Sequence, residues 1–169
     1  MTIERIECKA QFTADATGLI TGIAWPFGAP DRVGDLIEPS AFKSAAPPVP
    51  MLAFHDPTKP VGAWNSIVVK ADGLHVAGKL LVEDSPLARE MRAYVEAGAV
   101  RGLSIGFATK RAITRKGGGR TIQALELAEV SLVTVPLHPG ARVTSVKSSA
   151  AAAIALANAI TRAAAALKL

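Results

Sequence analysis

The stretch Gly102-Leu103-Ser104-Ile105-Gly106-Phe107 predicts a short β-strand in which one serine stands among glycines and large apolar residues. If the apolar residues point into a core, strand alternation places Gly102, Ser104 and Gly106 together on the opposite face. Because the glycines on either side of Ser104 have no side chain, a substrate backbone could approach the serine hydroxyl closely. The same pattern also fits a plain serine on an exposed strand, so further residues must decide its function.

The composition favours a single domain that needs neither a disulfide nor a metal ion to fold. The chain has 169 residues, a net charge of +5 and a single cysteine, Cys8. One cysteine provides neither a disulfide framework nor a zinc-ligand cluster. The family resemblance described below implies that no cofactor is needed. Met1–Ala10 carries four charged residues and no apolar segment, which argues against a signal peptide. The alanine-rich tail is too weakly apolar for a membrane-spanning helix.

The order of patterns along the chain predicts an α+β, mainly β fold. Alternating apolar residues and turn signals predict strands at 3–12, 19–25, 51–55, 61–70, 74–82, 102–107, 121–128 and 130–135. Ser85 and Pro86 begin the one clear helix, 85–96, whose apolar stripe is Leu87, Met91, Tyr94 and Val95. We therefore expect a β-rich domain over residues 1–147, built as a barrel or sandwich, and an alanine-rich helical tail over 148–169.

Basic residues concentrate between Lys110 and Arg120. Such a cluster can attract nucleic acid or an acidic protein. No aromatic residues stand among these charges to stack on bases, which favours a solvated hairpin tip over a surface that reads nucleic acid.

Three polar residues at or near predicted strands suggest nucleophilic catalysis: His55, Ser104 and Glu129. A serine hydroxyl is a poor nucleophile at neutral pH and needs a base within hydrogen-bond distance. That base in turn needs a third group that fixes its tautomer and orientation. Nothing local in the sequence brings these three positions together, so the constellation is a hypothesis about the fold.

Several short stretches, in order, resemble one known family. They are 34–42 (GDLIEPSAF), 51–56 (MLAFHD), 60–64 (PVGAW), 72–74 (DGL), 98–107 (GAVRGLSIGF) and 129–134 (EVSLVT). Together they resemble the prohead maturation proteases of tailed bacteriophages, which are capsid-assembly serine proteases structurally akin to the herpesvirus assembly proteases. The resemblance runs from about residue 22 to residue 147 and implies a small closed β-barrel surrounded by helices.

Position by position, the resemblance implies a catalytic triad. It makes Ser104 the nucleophile, His55 the general base and Glu129 the third member, with Glu126 as the competitor for that third role. Glu126 would face the other side of a regular strand, so only one of the two glutamates can serve. The resemblance also implies that backbone amides in 137–140 stabilise the oxyanion, in a segment where His138 replaces the asparagine usual in the family.

The other candidate residues have simpler interpretations. His75 is expected to be a solvent-facing strand residue, and Asp56 to shape the turn that it forms with Pro57. Asp35 and Glu38 are expected to be loop and helix-start acids, because no companion ligands stand at a metal-binding spacing.

The resemblance implies an endopeptidase that cleaves scaffold protein or a scaffold-like extension of the major capsid protein, with the chain itself as a further candidate substrate. It would act in the host cytoplasm inside the assembling procapsid, with a homodimer or higher oligomer as the candidate assembly and no membrane partner. Three alternatives stay open. They are an inactive capsid assembly or scaffolding protein on the same fold, a basic nucleic-acid-binding barrel and an esterase that uses the same triad.

Overall fold

Seven strands close into a barrel in the computed structural model, which describes residues 18–146 of the chain. The strands of this region are β1 (Leu19–Pro26), β2 (Leu36–Ile37), β3 (Val49–Ala53), β4 (Pro60–Lys70), β5 (Gly73–Leu80), β6 (Gly102–Thr114), β7 (Arg120–Val133) and β8 (Arg142–Val146). The barrel order is β7-β3-β4-β5-β1-β8-β6, and β6 pairs again with β7 to close the ring. The two-residue β2 lies outside the ring and pairs in parallel with β7. The predicted mainly β barrel is confirmed.

The core holds the largest buried side chains, most of which lie on the barrel strands. They include Trp25, Met51, Trp64, Leu74, Leu80, Leu103 and Leu132. Each side chain of this size contributes about 1.5–3 kcal/mol when it leaves water. The Trp64 indole Nε1–H also donates to the Val130 carbonyl oxygen at 2.9 Å, which joins the core of β4 to β7.

One α-helix, α1 (Pro86–Glu96), lies among the described residues, together with a 3₁₀ helix at Pro39–Phe42. Ser85 caps α1 as predicted, since its hydroxyl accepts from the Ala88 N–H at 3.2 Å. The buried face is Ala88, Met91 and Val95. Tyr94 was expected in the apolar stripe but is exposed, and its hydroxyl donates to Glu90 one turn earlier. No helix in the described region is long and apolar enough to cross a membrane.

The loop before β2 holds the tip of the β6–β7 hairpin. The Arg120 guanidinium donates to both carboxylate oxygens of Asp35, and the Arg120 main-chain N–H donates to the same side chain at 3.0 Å. These hydrogen bonds and the charge of Arg120 hold the pKa of Asp35 below its ordinary value, although burial acts in the opposite direction. Arg115 donates to the Gly34 carbonyl oxygen at 2.8 Å. The tip itself, Lys116–Gly118, is exposed as the sequence predicted, and the residues at its base, Arg115 and Arg120, contact the loop.

Several boundaries differ from the sequence prediction. Strand β3 ends at Ala53, two residues before the predicted end, because the chain turns sharply at Phe54 and His55. The two strands predicted between residues 121 and 135 are the single strand β7, and β8 was not predicted. The predicted strand at 3–12 and the helical tail at 148–169 lie outside the described residues.

Candidate active site

His55 lies in a tight turn directly after β3. Phe54 and His55 have φ values of 57° and 60°, in the left-handed region that residues other than glycine rarely adopt. Two hydrogen bonds hold this turn against β7: Phe54 N–H donates to the Leu132 carbonyl at 3.0 Å, and His55 N–H donates to Ser131 Oγ at 3.0 Å. Uncommon backbone conformations of this kind persist where surrounding contacts fix them and are frequent at functional sites. The turn leaves the His55 side chain 44% exposed.

The imidazole of His55 is paired with the Glu129 carboxylate. His55 Nδ1 lies 2.6 Å from Glu129 Oε1, and the other carboxylate oxygen, Oε2, accepts from the Ser131 hydroxyl at 2.7 Å. Because a carboxylate only accepts hydrogen bonds, Nδ1 donates the shared hydrogen, which leaves Nε2 as the acceptor atom of the neutral imidazole. The Glu129 side chain is only 13% exposed, so both oxygens are bound at a largely water-free position.

Ser104 lies on the same face of the barrel as Glu129 and Ser131. Strand register pairs Ser104 directly with Ser131, and Gly106 directly with Glu129. Side chains directly opposite each other in an antiparallel pair share a face, with Cβ atoms about 4.5–5.5 Å apart. The structure thus brings the three predicted positions to one region. Within residues 18–146, however, no hydrogen bond joins Ser104 to His55. In substrate-free enzymes the distance between nucleophile and base is often too long for a hydrogen bond.

A shallow pocket opens beside Ser104, which is itself only 6% exposed. Most of the lining is apolar, and it also includes His138. The lining residues are Ala24, Trp25, Leu103, Ser104, Ile105, Phe107, Leu137 and His138. Ser104 therefore faces a recess formed by β1, β6 and the loop after β7.

The two glycines beside Ser104 make room for other parts of the protein. A Cβ added to Gly106 would lie 2.3 Å from Glu129 Oε1, and one added to Gly102 would lie 2.7 Å from the Pro136 ring. From the sequence, we expected a substrate backbone to occupy this space. The structure instead fills it with the Glu129 carboxylate and with Pro136, so Gly106 is what allows Glu129 to reach His55.

We expect Gly106→Ala to lower kcat at least tenfold while the barrel stays folded. The new methyl group would displace the Glu129 carboxylate from His55, because the alternative is movement of paired strand backbone. The measurement is steady-state proteolysis together with a thermal melt. Gly28→Ala is the control, since Gly28 has a φ of 88° and its Cβ would meet nothing within 4 Å. Equal loss of activity in the two variants would show that lowered stability is the cause.

A β-bulge changes the argument about Glu126. Strand register pairs Gly106 with Glu129 but Phe107 with Leu127, so Ala128 is an extra residue on β7. Glu126 then pairs with Ala108, on the same face as Glu129 and not on the opposite one as a regular strand would require. Its carboxylate is exposed and lies 2.6 Å from Lys110 Nζ, which lowers its pKa. The carboxylate of Glu126 is therefore bound to Lys110, whereas that of Glu129 is bound to His55.

The loop after β7 offers two amides near Ser104. Pro136 and Pro139 have no N–H, and the Gly140 N–H donates to His138 Nδ1 at 3.1 Å. Leu137 and His138 both line the recess, and their N–H groups have no partner among residues 18–146. The expected segment 137–140 is thereby reduced to two available donors.

His138, the residue that replaces the family's asparagine, is buried. Its Nε2 donates to the Ala29 carbonyl at 3.1 Å, and its ring meets Trp25 edge-on at 4.8 Å between centroids. With Nδ1 accepting from Gly140, both ring nitrogens are occupied. His138 therefore supports the loop and has no free nitrogen for proton transfer.

The sequence is similar to those of known viral proteins. A family model described as caudovirus prohead serine protease matches residues 4–155, which is most of the chain. The chain belongs to the caudovirus prohead serine protease family. It is 34% identical over 155 residues to the prohead protease of Enterobacteria phage HK97, covering 87% of this chain and 68% of that protein. It is also 34% identical over 140 residues to a capsid polyprotein of Pseudomonas phage PAJU2, covering 79% of this chain and 21% of the polyprotein.

The barrel of this prohead protease family member also matches a solved herpesvirus enzyme. The KSHV protease, solved with a hexapeptide phosphonate inhibitor, superposes with a TM-score of 0.54 at 16% identity. The match covers 74% of this chain and 63% of the KSHV chain, so the chain spans less than two thirds of that protein. This likeness confirms the predicted herpesvirus-protease-like fold.

The remaining polar residues of this prohead protease family member have structural contacts. His75 Nε2 lies 2.8 Å from Asp72 Oδ1 in the β4–β5 hairpin. Asp56 accepts from the Thr58 hydroxyl and main chain, and these bonds lower the pKa of Asp56 to about 2. Glu38 accepts from Gln123 at 3.2 Å. Across residues 18–146, no three or more His, Cys, Asp or Glu side chains come together as a metal site.

Proposed function

We propose that the chain is a serine endopeptidase in which Ser104 is the nucleophile, His55 the general base and Glu129 the group that orients His55. The observation that carries this proposal is the 2.6 Å contact between His55 Nδ1 and Glu129 Oε1 on the barrel face that also holds Ser104. Membership of a serine protease family supports the reaction class. No step of this mechanism requires a cofactor.

The reaction proceeds in two halves. Ser104 Oγ attacks the scissile carbonyl carbon while His55 Nε2 takes the hydroxyl proton, which gives a tetrahedral oxyanion and an imidazolium. When the oxyanion collapses, the C–N bond breaks and His55 returns the proton to the leaving amine. The Ser104 ester is then attacked by water, whose proton passes to His55 Nε2. Collapse of this second oxyanion breaks the ester C–O bond, and the proton returns to Ser104.

The groups around the pair support these roles. Glu129 holds His55 in the tautomer that leaves Nε2 free to accept, and stabilises the imidazolium that forms. The amides of Leu137 and His138, beside Ser104, are the donors that we propose for the oxyanion. A single donor of this kind is worth about 10²–10³ in kcat.

The proposed substrate is the major capsid protein or its scaffold-like extension, or a separate scaffold protein. A similar protein named prohead protease and another named capsid polyprotein support this choice. The proposed place of action is the inside of the assembling procapsid in the host, where substrate and enzyme are concentrated together. Self-cleavage and a homodimer or higher oligomer are further parts of this proposal.

The experiment is co-expression of the chain with the major capsid protein of the same genome, followed by intact-mass measurement. The comparator is His55→Asn, because asparagine tolerates the left-handed backbone of position 55 while it removes the imidazole. A capsid protein shortened only by the wild type supports proteolysis and maps the cut. Full-length capsid protein in both samples would contradict the proposal and favour an inactive assembly protein.

A further inference from the structure

We propose that Ser131 is a positioning residue of this site, whose hydroxyl joins the Glu129 carboxylate to the main chain of His55. The inference rests on the proposed function, because it takes His55 and Glu129 as the base and its orienting group. It adds a fourth residue, which the sequence argument quoted only as part of the 129–134 stretch.

The Ser131 hydroxyl makes two hydrogen bonds in opposite senses. Its O–H donates to Glu129 Oε2 at 2.7 Å, and its oxygen accepts from the His55 N–H at 3.0 Å. Ser131 is fully buried, with 0% of its surface exposed. Because water does not reach the side chain, nothing else in this environment can supply both bonds when the hydroxyl is removed.

Each bond fixes a different degree of freedom. The bond to Oε2 stops rotation of the carboxylate about its last torsion, so Oε1 stays aimed at His55 Nδ1. The bond from His55 N–H holds the residue at its φ of 60°, a conformation that other residues than glycine adopt only with outside support. Side-chain direction and backbone direction of the base are therefore both set by one hydroxyl.

Ser104 and Ser131 have different roles, the first as nucleophile and the second as positioning residue. Ser104 and Ser131 are directly opposite each other on β6 and β7. A hydroxyl has one hydrogen to donate, and that of Ser131 is committed to Glu129. Ser104 has no such commitment and lines the recess beside Leu137. The geometry thus separates two adjacent serines into one that reacts and one that positions.

The test compares wild type, Ser131→Ala and Ser131→Thr, each purified, in steady-state cleavage of a peptide that spans the cut mapped by co-expression. We expect Ser131→Ala to lower kcat about tenfold to a hundredfold with KM within twofold, since the hydroxyl touches no substrate. Loss of a supporting partner of this kind in other sites has effects of similar size. Threonine keeps the hydroxyl and is expected to recover activity relative to alanine. Ser131→Cys, with a weaker hydrogen bond, replaces Ser131→Ala if the alanine variant does not fold.

The second readout is the nuclear magnetic resonance signal of the His55 Nδ1–H, assigned with the His55→Asn variant. We expect this signal to shift or broaden in Ser131→Ala and to stay unchanged in Ser44→Ala. The control removes a hydroxyl that donates to the Leu125 carbonyl at 3.0 Å, away from the histidine. With an active wild type, support requires both the kcat loss and the changed signal, and either result without the other overturns the proposal.

The two readouts separate this inference from the proposed function. If the wild type cleaves nothing, the proposed function fails, whereas the Nδ1–H signal still reports whether Ser131 holds the His55–Glu129 pair. An unchanged signal in Ser131→Ala would then overturn the inference on its own.

Discussion

Ser104→Ala is expected to lower kcat by about 10³- to 10⁶-fold, because it removes the atom that attacks the scissile carbonyl. The substitution deletes one oxygen from a small, nearly buried side chain whose hydroxyl makes no hydrogen bond within residues 18–146, so the fold should be retained. The measurement is single-turnover cleavage of the capsid protein by purified enzyme. A fluorophosphonate probe should label the wild type on Ser104 and leave the variant unlabelled.

The matched control is Ser44→Ala, which removes a serine hydroxyl from another part of the fold. Its rate of cleavage and of labelling should stay within twofold of the wild type. If Ser104→Ala cleaves at more than one tenth of the wild-type rate, Ser104 is not the nucleophile. Label found on another residue would lead to the same conclusion.

Glu129→Gln is expected to lower kcat by about 10³- to 10⁴-fold with little change in stability. Glutamine has one acceptor oxygen where glutamate has two, and the Ser131 hydroxyl requires an acceptor on its side. The amide NH₂ then faces His55 Nδ1 and imposes the tautomer with hydrogen on Nε2, which cannot accept the Ser104 proton. The measurement is kcat together with the thermal melting temperature of both proteins.

Glu126→Gln provides the matched control on the same strand. Glu126 is exposed, and its one ion pair within residues 18–146 is with Lys110. Exposed ion pairs contribute about 0–1 kcal/mol. Its kcat should therefore remain within twofold of the wild type. If kcat fell as much in Glu126→Gln as in Glu129→Gln, Glu126 would again be a candidate for the third member of the triad.

Much of the fold could be predicted from local patterns. The β4–β5 hairpin, the Ser85 cap and the strand around Ser104 all follow from turn chemistry, capping and alternation, which act over a few residues. Barrel closure could not be predicted in that way, because it depends on the β3–β7 and β1–β8 pairings, whose strands lie far apart in the chain. The strand pattern allowed either a barrel or a sandwich, and only the family resemblance favoured the closed barrel.

The site shows the same division between local and long-range information. His55, Ser104 and Glu129 were named from their residue types and the resemblance, and the structure brings all three to one face. The left-handed turn at His55 was missed, since a strand pattern gives no signal for it. The bulge at Ala128 was also missed. It places Glu126 on the same face as Glu129, so the expectation that the two glutamates face opposite sides of the strand was wrong. The i, i+2 spacing of Glu129 and Ser131 was the one signal that could have revealed Ser131.

The contact between the loop before β2 and the hairpin tip has a consequence for how such sequences can diverge. A Cβ on Gly119 would lie 2.0 Å from the Gly34 carbonyl oxygen, and one on Gly34 would lie 3.3 Å from the Gly119 Cα. Both glycines also have positive φ, so a side chain at either position would add backbone strain to the steric contact. The sequences of the loop before β2 and of the β6–β7 hairpin tip can therefore change only together. A transfer of this hairpin into a related protein must include the loop before β2.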